Sequence, residues 1–365
     1  MTSNWMIYGA NGYSAQLAVE KAVTQGRRPI LAGRNAAAIQ PLAQAHGLES
    51  RIFSLEDVDQ VIAHLEDVKV VSHCAGPYSA TAEPMMKACI QSGTYYTDIT
   101  GEIDVFLLAQ SLNKEAAASG TVLCSGVGFD VIPTDCVAAK LKEALPDATE
   151  LNLGFQGDAS LSPGTAKTMV EAISQGMKVR KDGQLINVLP SHASRSIDFG
   201  KGPVQAGVIP WGDLATAYWQ TGIPNISVYT RRSVGRATDL LFPVIQEVMK
   251  SATVQRMAKK RIMRRVTGPD EASRASRPTY VWGEARNARG DSVCCRVKTP
   301  NGYTVTMDGI LHSAGFLLDY EGAGGCYTPA QLMGAELVER LPGVGQLHLS
   351  SDMNARYAKQ EEASV

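Results

Sequence analysis

Short apolar runs alternate with segments of helical periodicity through about the first third of the chain. Trp5-Met6-Ile7-Tyr8 gives way, after a few small and polar residues, to helical spacing at Ala15, Val19, Ala22 and Val23, which stops at Gln25-Gly26. Further strand-like runs lie at 28–32, 51–54, 68–74, 94–98 and 121–125, with helices predicted over 83–91 and 103–119. Near-continuous apolar content, as in Val68-Lys69-Val70-Val71-Ser72-His73-Cys74, suits strands buried on both faces. Helices of this length between such strands imply right-handed crossovers and a parallel sheet.

The rhythm changes after a helix predicted over 131–142. A strand at 150–156, a helix after Ser162-Pro163-Gly164, a hairpin signal at Asp182-Gly183 and a Gly/Pro-rich stretch at 200–212 follow. Three consecutive strands are then expected, Thr279–Asn287, Ser292–Thr299 and 303–312, joined by turns at Arg289-Gly290-Asp291 and Pro300-Asn301-Gly302. Successive hairpins make an antiparallel sheet. Thr328-Pro329-Ala330-Gln331 carries a capping Thr, a Pro at the first helical position and a Gln that reaches back, so a last helix starts there. The tail after Asp352 reads as frayed.

The first strand breaks into Gly9-Ala10-Asn11-Gly12-Tyr13-Ser14-Ala15 at the start of its helix. Gly9 permits a sharp turn, Gly12 keeps no side chain between backbone and ligand, and Ala15 lets the helix sit close to the sheet. The free N–H groups of that helix start make an anion site. These features predict a dinucleotide-binding unit. The second strand ends in Gly33-Arg34-Asn35, where an NAD-specific chain would carry an acid; Arg34 would instead pair with a 2′-phosphate. NADPH/NADP+ is therefore the expected cofactor. The expected fold is α/β, a Rossmann-type parallel-sheet domain with an inserted α+β domain containing a largely antiparallel sheet. The boundaries expected are 1–130, rejoined by the C-terminal helix at about 326–350, and 131–325 for the insert.

Ligands of such sheets lie beyond the C-terminal strand ends. Cys74-Ala75-Gly76-Pro77-Tyr78 follows the fourth strand and can meet the nicotinamide ribose and ring. Asp98-Ile99-Thr100-Gly101-Glu102 and Gly126-Val127-Gly128-Phe129-Asp130 follow the fifth and sixth. Tyr78, Asp98 and Glu102 are the candidate catalytic groups, although Glu102 could equally favour a helix start. Thr100, Phe129, Asp130, Trp211 and Asp213 are the candidate substrate contacts, the last two from the rigid loop Ile209-Pro210-Trp211-Gly212-Asp213. Lys167 and the basic run Lys259-Lys260-Arg261 with Arg264-Arg265 read as solvated charges.

Composition removes other classes. Among 365 residues, 35 basic and 36 acidic side chains leave a net charge of −1, so no global field recruits nucleic acid or an anionic membrane. The start lacks the form of a signal peptide, no apolar stretch spans a bilayer, and a cytoplasmic location is expected. The seven cysteines form no C-x-x-C pair and read as free thiols; the histidines show no metal spacing, so no metal is expected. No Tyr is followed by Lys four positions later, which argues against the short-chain dehydrogenase Tyr-Lys pair.

Gly9-Ala-Asn-Gly-Tyr-Ser-Ala15, Cys74-Ala-Gly-Pro-Tyr78, Tyr95-Tyr-Thr-Asp-Ile-Thr-Gly-Glu102 and Gly128-Phe-Asp-Val-Ile-Pro-Thr-Asp135 resemble motifs of the saccharopine-dehydrogenase-like oxidoreductases. Ile209-Pro-Trp-Gly-Asp213 with Thr221-Gly-Ile-Pro224 is closer to the trans-acting enoyl reductase branch. Ala15 stands where the family often has Gly. The resemblance implies NADPH as hydride donor and a substrate surface on the inserted domain. An enoyl thioester would take hydride at its β carbon and a proton at its α carbon, from Tyr78 or water; an imine would need no strong acid. Reduction of an activated C=C bond is the leading expectation, with an imine reductase and a non-catalytic NADP sensor as alternatives. The expected partner is a small or carrier-bound substrate, with a homodimer possible.

Overall fold

The computed structural model describes residues 5–157, 164, 170, 174–189, 194–232, 236–263 and 268–351. Lys167, Ser162-Pro163, Arg264-Arg265 and the tail after 351 lie outside them. The first six strands are β1 (Trp5–Tyr8), β2 (Ile30–Gly33), β3 (Ser50–Ile52), β4 (Val70–His73), β5 (Tyr95–Asp98) and β6 (Val122–Cys124). A seventh, β15 (Gly325–Cys326), comes from far along the chain and pairs with β6. All pairings are parallel, in the order β3-β2-β1-β4-β5-β6-β15. The direction of winding reverses beside β1, so the crevice between the ends of β1 and β4 is where such a sheet receives a ligand.

The helices between these strands are α1 (Tyr13–Thr24), α2 (Ala36–His46), α3 (Val58–Leu65), α4 (Tyr78–Ser92), α5 (Ile103–Ser111) and α6 (Asn113–Ser119). The single helix expected over 103–119 is thus two, divided at Leu112. α1 buries Ala15, Ala18, Val19 and Ala22 at helical spacing, the small residues allowing close approach to β1.

α7 (Ile132–Ala144) leads into a mixed second sheet. Its strands are β7 (Ala148–Gly157), β8 (Met177–Lys181), β9 (Gln184–Val188), β10 (Arg195–Asp198), β11 (Pro203–Val208), β12 (Asn225–Arg231), β13 (Thr279–Asn287), β14 (Ser292–Thr299) and β16 (His348–Ser351). Only β7 and β12 pair in parallel; the rest are antiparallel. The hairpin at Asp182-Gly183 forms between β8 and β9, with both residues at positive φ. α7 and α8 (Asp213–Thr221) cover this sheet through Val137, Leu141, Leu214 and Ala217, packed among Leu151, Leu153, Val281 and Cys295. Three further helices, α9 (Arg236–Met249), α10 (Ala252–Met263) and α11 (Glu271–Ser276), precede β13.

The strand expected at 303–312 is instead the middle of α12 (Gly302–Leu318). Asn301 ends no hairpin; its side chain accepts a hydrogen bond from the Tyr303 N–H and caps the helix. α12 packs on α1, β4 and β5, and Lys21 of α1 pairs with Asp308. Part of the segment expected in the insert therefore completes the first layer. The final helix is also short: α13 (Pro329–Met333), with the capping box of Thr328 and Gln331 in place, packs on α7 before the chain reaches β16 in the second sheet.

Candidate active site

Two loops meet at the crevice beside β1. Gly9 has φ +80°, and a Cβ there would lie 2.7 Å from the backbone nitrogen of Ala75. Only glycine satisfies both demands. Cys74 N–H donates to the Tyr8 carbonyl at 2.7 Å, and Gly12 N–H to that of Gly9 at 2.9 Å, so turn and loop are mutually fixed. Gly12 precedes α1 in an extended conformation without a side-chain cap, and the first turn of α1 holds no acid. Its N–H groups and positive dipole end are left for an anion. Asn11 and Ser14 flank this turn, and Ala15 is buried against the sheet.

Arg34 follows β2 directly and is exposed. Burial pushes the Tyr8 phenol up to about 12, and the nearby Arg34 charge opposes the rise. Asn35 begins α2 without giving it a side-chain cap, and that helix also lacks an acid in its first turn. A cation and a second uncapped helix start therefore stand side by side. The cradle at Gly9–Gly12 fits a pyrophosphate, and Arg34 with the start of α2 fits a 2′-phosphate.

The three expected catalytic side chains are committed to the protein itself. Tyr78 turns its hydroxyl inward to the His73 carbonyl at 3.3 Å, its ring edge-on to the His73 imidazole. Burial raises its phenol well above the ordinary value, which makes it a poor proton donor. Glu102 accepts from the N–H groups of Tyr78 at 3.1 Å and Ser79 at 2.8 Å, capping α4 where Pro77 offers no cap. Asp98 is buried, and it accepts from the Tyr96 hydroxyl at 2.8 Å, Thr100 N–H at 3.0 Å and Gly126 N–H at 2.8 Å. It ties the β5 and β6 loops together. Thr100 is also buried, its hydroxyl accepting from the Glu102 N–H at 3.0 Å and so helping to shape the β5 loop.

The Cys74–Pro77 loop contains a cis Gly76-Pro77 bond. The Thr81 hydroxyl holds it, donating toward the carbonyls of Ala75 at 2.7 Å and Pro77 at 3.0 Å. His73 Nε2 lies 3.0 Å from the same hydroxyl, and burial pulls this imidazole down to about 3, so it stays neutral.

Phe129, Asp130 and Trp211 do come together. The Trp211 indole N–H donates to the Asp130 carbonyl at 2.8 Å. Phe155 of β7, which the sequence reading missed, stands between the other aromatics, 5.4 Å from Phe129 and 4.9 Å from Trp211 between ring centroids. The result is an aromatic wall shared by both sheets. The Asp130 carboxyl lies against Gly101, 3.1 Å from where a Cβ would be, and burial pushes it up to about 7. Asp213 does not join the wall. It is fully buried near Thr134 and Asp135, and desolvation keeps its carboxyl well above the carboxylate range.

All seven cysteines are free. Among the described residues no His/Cys/Asp/Glu group could hold a metal ion, and no helix is long and apolar enough to cross a membrane.

Residues 5–124 match the family model described as the saccharopine dehydrogenase NADP binding domain. The first domain is thus of saccharopine-dehydrogenase type and binds NADP. A trans-acting enoyl reductase of Mycobacterium bovis is 31% identical over 183 residues, which cover 46% of this chain and 44% of that protein. A human saccharopine dehydrogenase-like oxidoreductase is 26% identical over 194 residues, covering 51% and 42%. The matched parts thus span less than half of either relative. The fold as a whole is that of the apo Saccharomyces cerevisiae saccharopine dehydrogenase, with a TM-score of 0.64 at 13% identity over 95% of this chain and 99% of that one. A Legionella pneumophila homospermidine synthase solved with NAD aligns with the same TM-score at 9% identity, over 96% and 92%.

Proposed function

We propose that this chain is an NADPH-dependent reductase of an activated C=C bond, with the substrate held against the Phe129–Phe155–Trp211 wall and Asp130 as the acid. The observation that carries the reading is one carboxyl, raised to about 7 by burial and without a described hydrogen-bond donor, on a residue whose main chain joins an aromatic wall beyond the strand ends of an NADP-binding sheet. The match to a trans-acting enoyl reductase supports the substrate class.

When bound, the reduced nicotinamide supplies a hydride. The backbone N–H groups at Gly12–Ser14 and the Arg34 guanidinium would hold its phosphates. The cis Gly76-Pro77 loop, fixed by Thr81, borders the face on which the ring would rest. The aromatic wall excludes water, which strengthens every polar contact made there. Asp130 holds a proton that it can release to the carbon made basic by hydride addition at its neighbour, and it regains one from solvent after each turnover.

The test is consumption of NADPH with short enoyl-pantetheine thioesters, the product identified by mass. A saturated thioester supports the reading. Turnover of cyclic or aldehyde-derived imines alone would replace it with C=N reduction, and NADPH binding without turnover of either class would favour a sensor.

A further inference from the structure

The arm formed by residues 268–276 reaches from beyond α10 back to the glycine turn and grips Tyr13, the first residue of α1. A Cβ on Gly268 would lie 2.7 Å from the Tyr13 ring, and Tyr303 packs edge-on at 5.1 Å. The Tyr13 hydroxyl donates to the Pro269 carbonyl at 2.5 Å and accepts from Arg274 Nη1 at 3.0 Å. Arg274 Nη1 also donates to the Pro269 carbonyl at 2.9 Å.

The charge balance of this contact is unusual. Both oxygens that Arg274 touches are neutral, and its described hydrogen bonds run through Nη1 alone. The acid that feels its charge, Asp270, is exposed and already caps α11 by accepting from Ser273 N–H at 2.8 Å. Arg274 is half-buried, and the Tyr13 it touches is the first residue of a helix with no acid in its first turn, where the dipole is itself positive. An anion at that helix start would be attracted by the guanidinium and the dipole together.

We propose that Arg274 is a ligand of the cofactor pyrophosphate, carried to the site by the arm, with Tyr13 positioning it. This rests on NADP binding by the first domain, but the residue lies far outside the matched segment 5–124 and nothing in the glycine turn itself requires it. A pyrophosphate held at the α1 N-terminus would bring negative charge to the guanidinium, whose described hydrogen bonds use Nη1 alone. The arm and the first domain thereby hold the cofactor jointly. Arg34 and Arg274 divide the work: one reads the 2′-phosphate, the other a group common to both dinucleotides.

The test measures dissociation constants for NADPH and NADH, by protein fluorescence quenching, in the wild type, R274Q, R274K and R34A. Gln at 274 removes the charge but ends well short of Nη1, so R274K, which keeps a donor near that reach, and the thermal stability of each variant separate a loosened arm from a lost phosphate ligand. R274Q is expected to weaken both dinucleotides by the same factor, about tenfold, with R274K in between and R34A weakening NADPH alone. Unchanged constants in R274Q, or a loss confined to NADPH, would overturn the assignment of Arg274 to the pyrophosphate. A wild-type protein that binds neither dinucleotide would overturn NADP binding itself, a result distinct from either.

Discussion

Replacing Asp135 with Asn should flatten the pH dependence of stability and leave the variant the more stable protein above neutrality. Asp135 sits on α7 at a joint between both sheets and the C-terminal segment. Its Oδ2 accepts from the Ala330 N–H at 2.7 Å, and the Gln220 amide, nitrogen inward, donates to Oδ1 at 2.8 Å and to the Asp135 carbonyl at 3.1 Å. Burial pushes the carboxyl up to about 7, against the opposing effect of hydrogen bonds from Ala330 and Thr328. In the unfolded chain an Asp titrates near ~3.9. Below that value both states are protonated and the native joint keeps its full stability. Between the two values the unfolded chain releases its proton and the folded one does not, so stability falls as pH rises, levelling off above the folded value. A displacement of about 3 units corresponds to at most about 4 kcal/mol.

Asn is nearly isosteric and cannot ionise. Its carbonyl can accept from Ala330, and Gln220 can turn its amide to accept from the new NH2. The raised carboxyls Asp98, Asp130 and Asp213 are present in both proteins and cancel in the difference, apart from the coupling of Asp213 to Asp135. The assay is urea unfolding followed by tryptophan fluorescence, at pH values from about 5 to about 8. Trp211 and Trp219 lie on either side of the α8 start and report on this joint. Wild-type minus variant stability should decline across that range by up to about 3 kcal/mol, the rest of the loss falling below about pH 5. Parallel curves would refute the reasoning, because they would mean that Asp135 ionises as easily folded as unfolded.

Three further predictions concern the site. Arg34→Asp should shift the NADPH to NADH affinity ratio by about 10- to 100-fold toward NADH, and an unchanged ratio would remove Arg34 from the 2′-phosphate. Asp130→Asn should lower kcat by about 100-fold or more, while the wild-type rate should fall as pH rises through about 7 because the acid form is the active one. A wild-type profile flat across that range would place the proton elsewhere. Tyr78→Phe should cost about 1 kcal/mol of stability for the lost bond to the His73 carbonyl and leave kcat within about twofold. A large loss in kcat at unchanged stability would return the donor role to Tyr78.

The first domain was legible because its signals are local. Trp5–Tyr8, Ile30–Gly33 and Val70–His73 are buried along their whole length, so each reads as a largely apolar run followed by small residues. The 303–312 segment misled for an equally local reason. Tyr303, Val305 and Met307 alternate with Thr304, Thr306 and Asp308 after an Asn-Gly pair, which is the pattern of a strand leaving a hairpin. In the fold, Asn301 caps a helix and the burial of Val305, Ile310, Ala314 and Leu317 against the first domain overrides the β-branched preference. Phe155 and Arg274 carry no local mark at all. Their roles arise only when β7 and the 268–276 arm are placed beside residues far away in the chain.

Position at a strand end told which residues border the crevice, but not where their oxygens point. Asp98 and Asp130 make the distinction plain. Each follows or ends a strand of the same sheet, and burial raises both carboxyls. Asp98 already accepts from one hydroxyl and two backbone N–H groups, and those bonds fix the β5 and β6 loops. Taking it for proton transfer would release the floor on which the site is built. Asp130 accepts no described hydrogen bond at its carboxyl, so gaining or losing a proton there disturbs no structural contact among the described residues. Under the proposed mechanism the proton donor is therefore distinguished by hydrogen bonds and access together: Asp98 is committed to structure, Asp213 also lacks partners at its carboxyl oxygens among the described residues but is fully buried, and perturbed acidity alone would not separate the three.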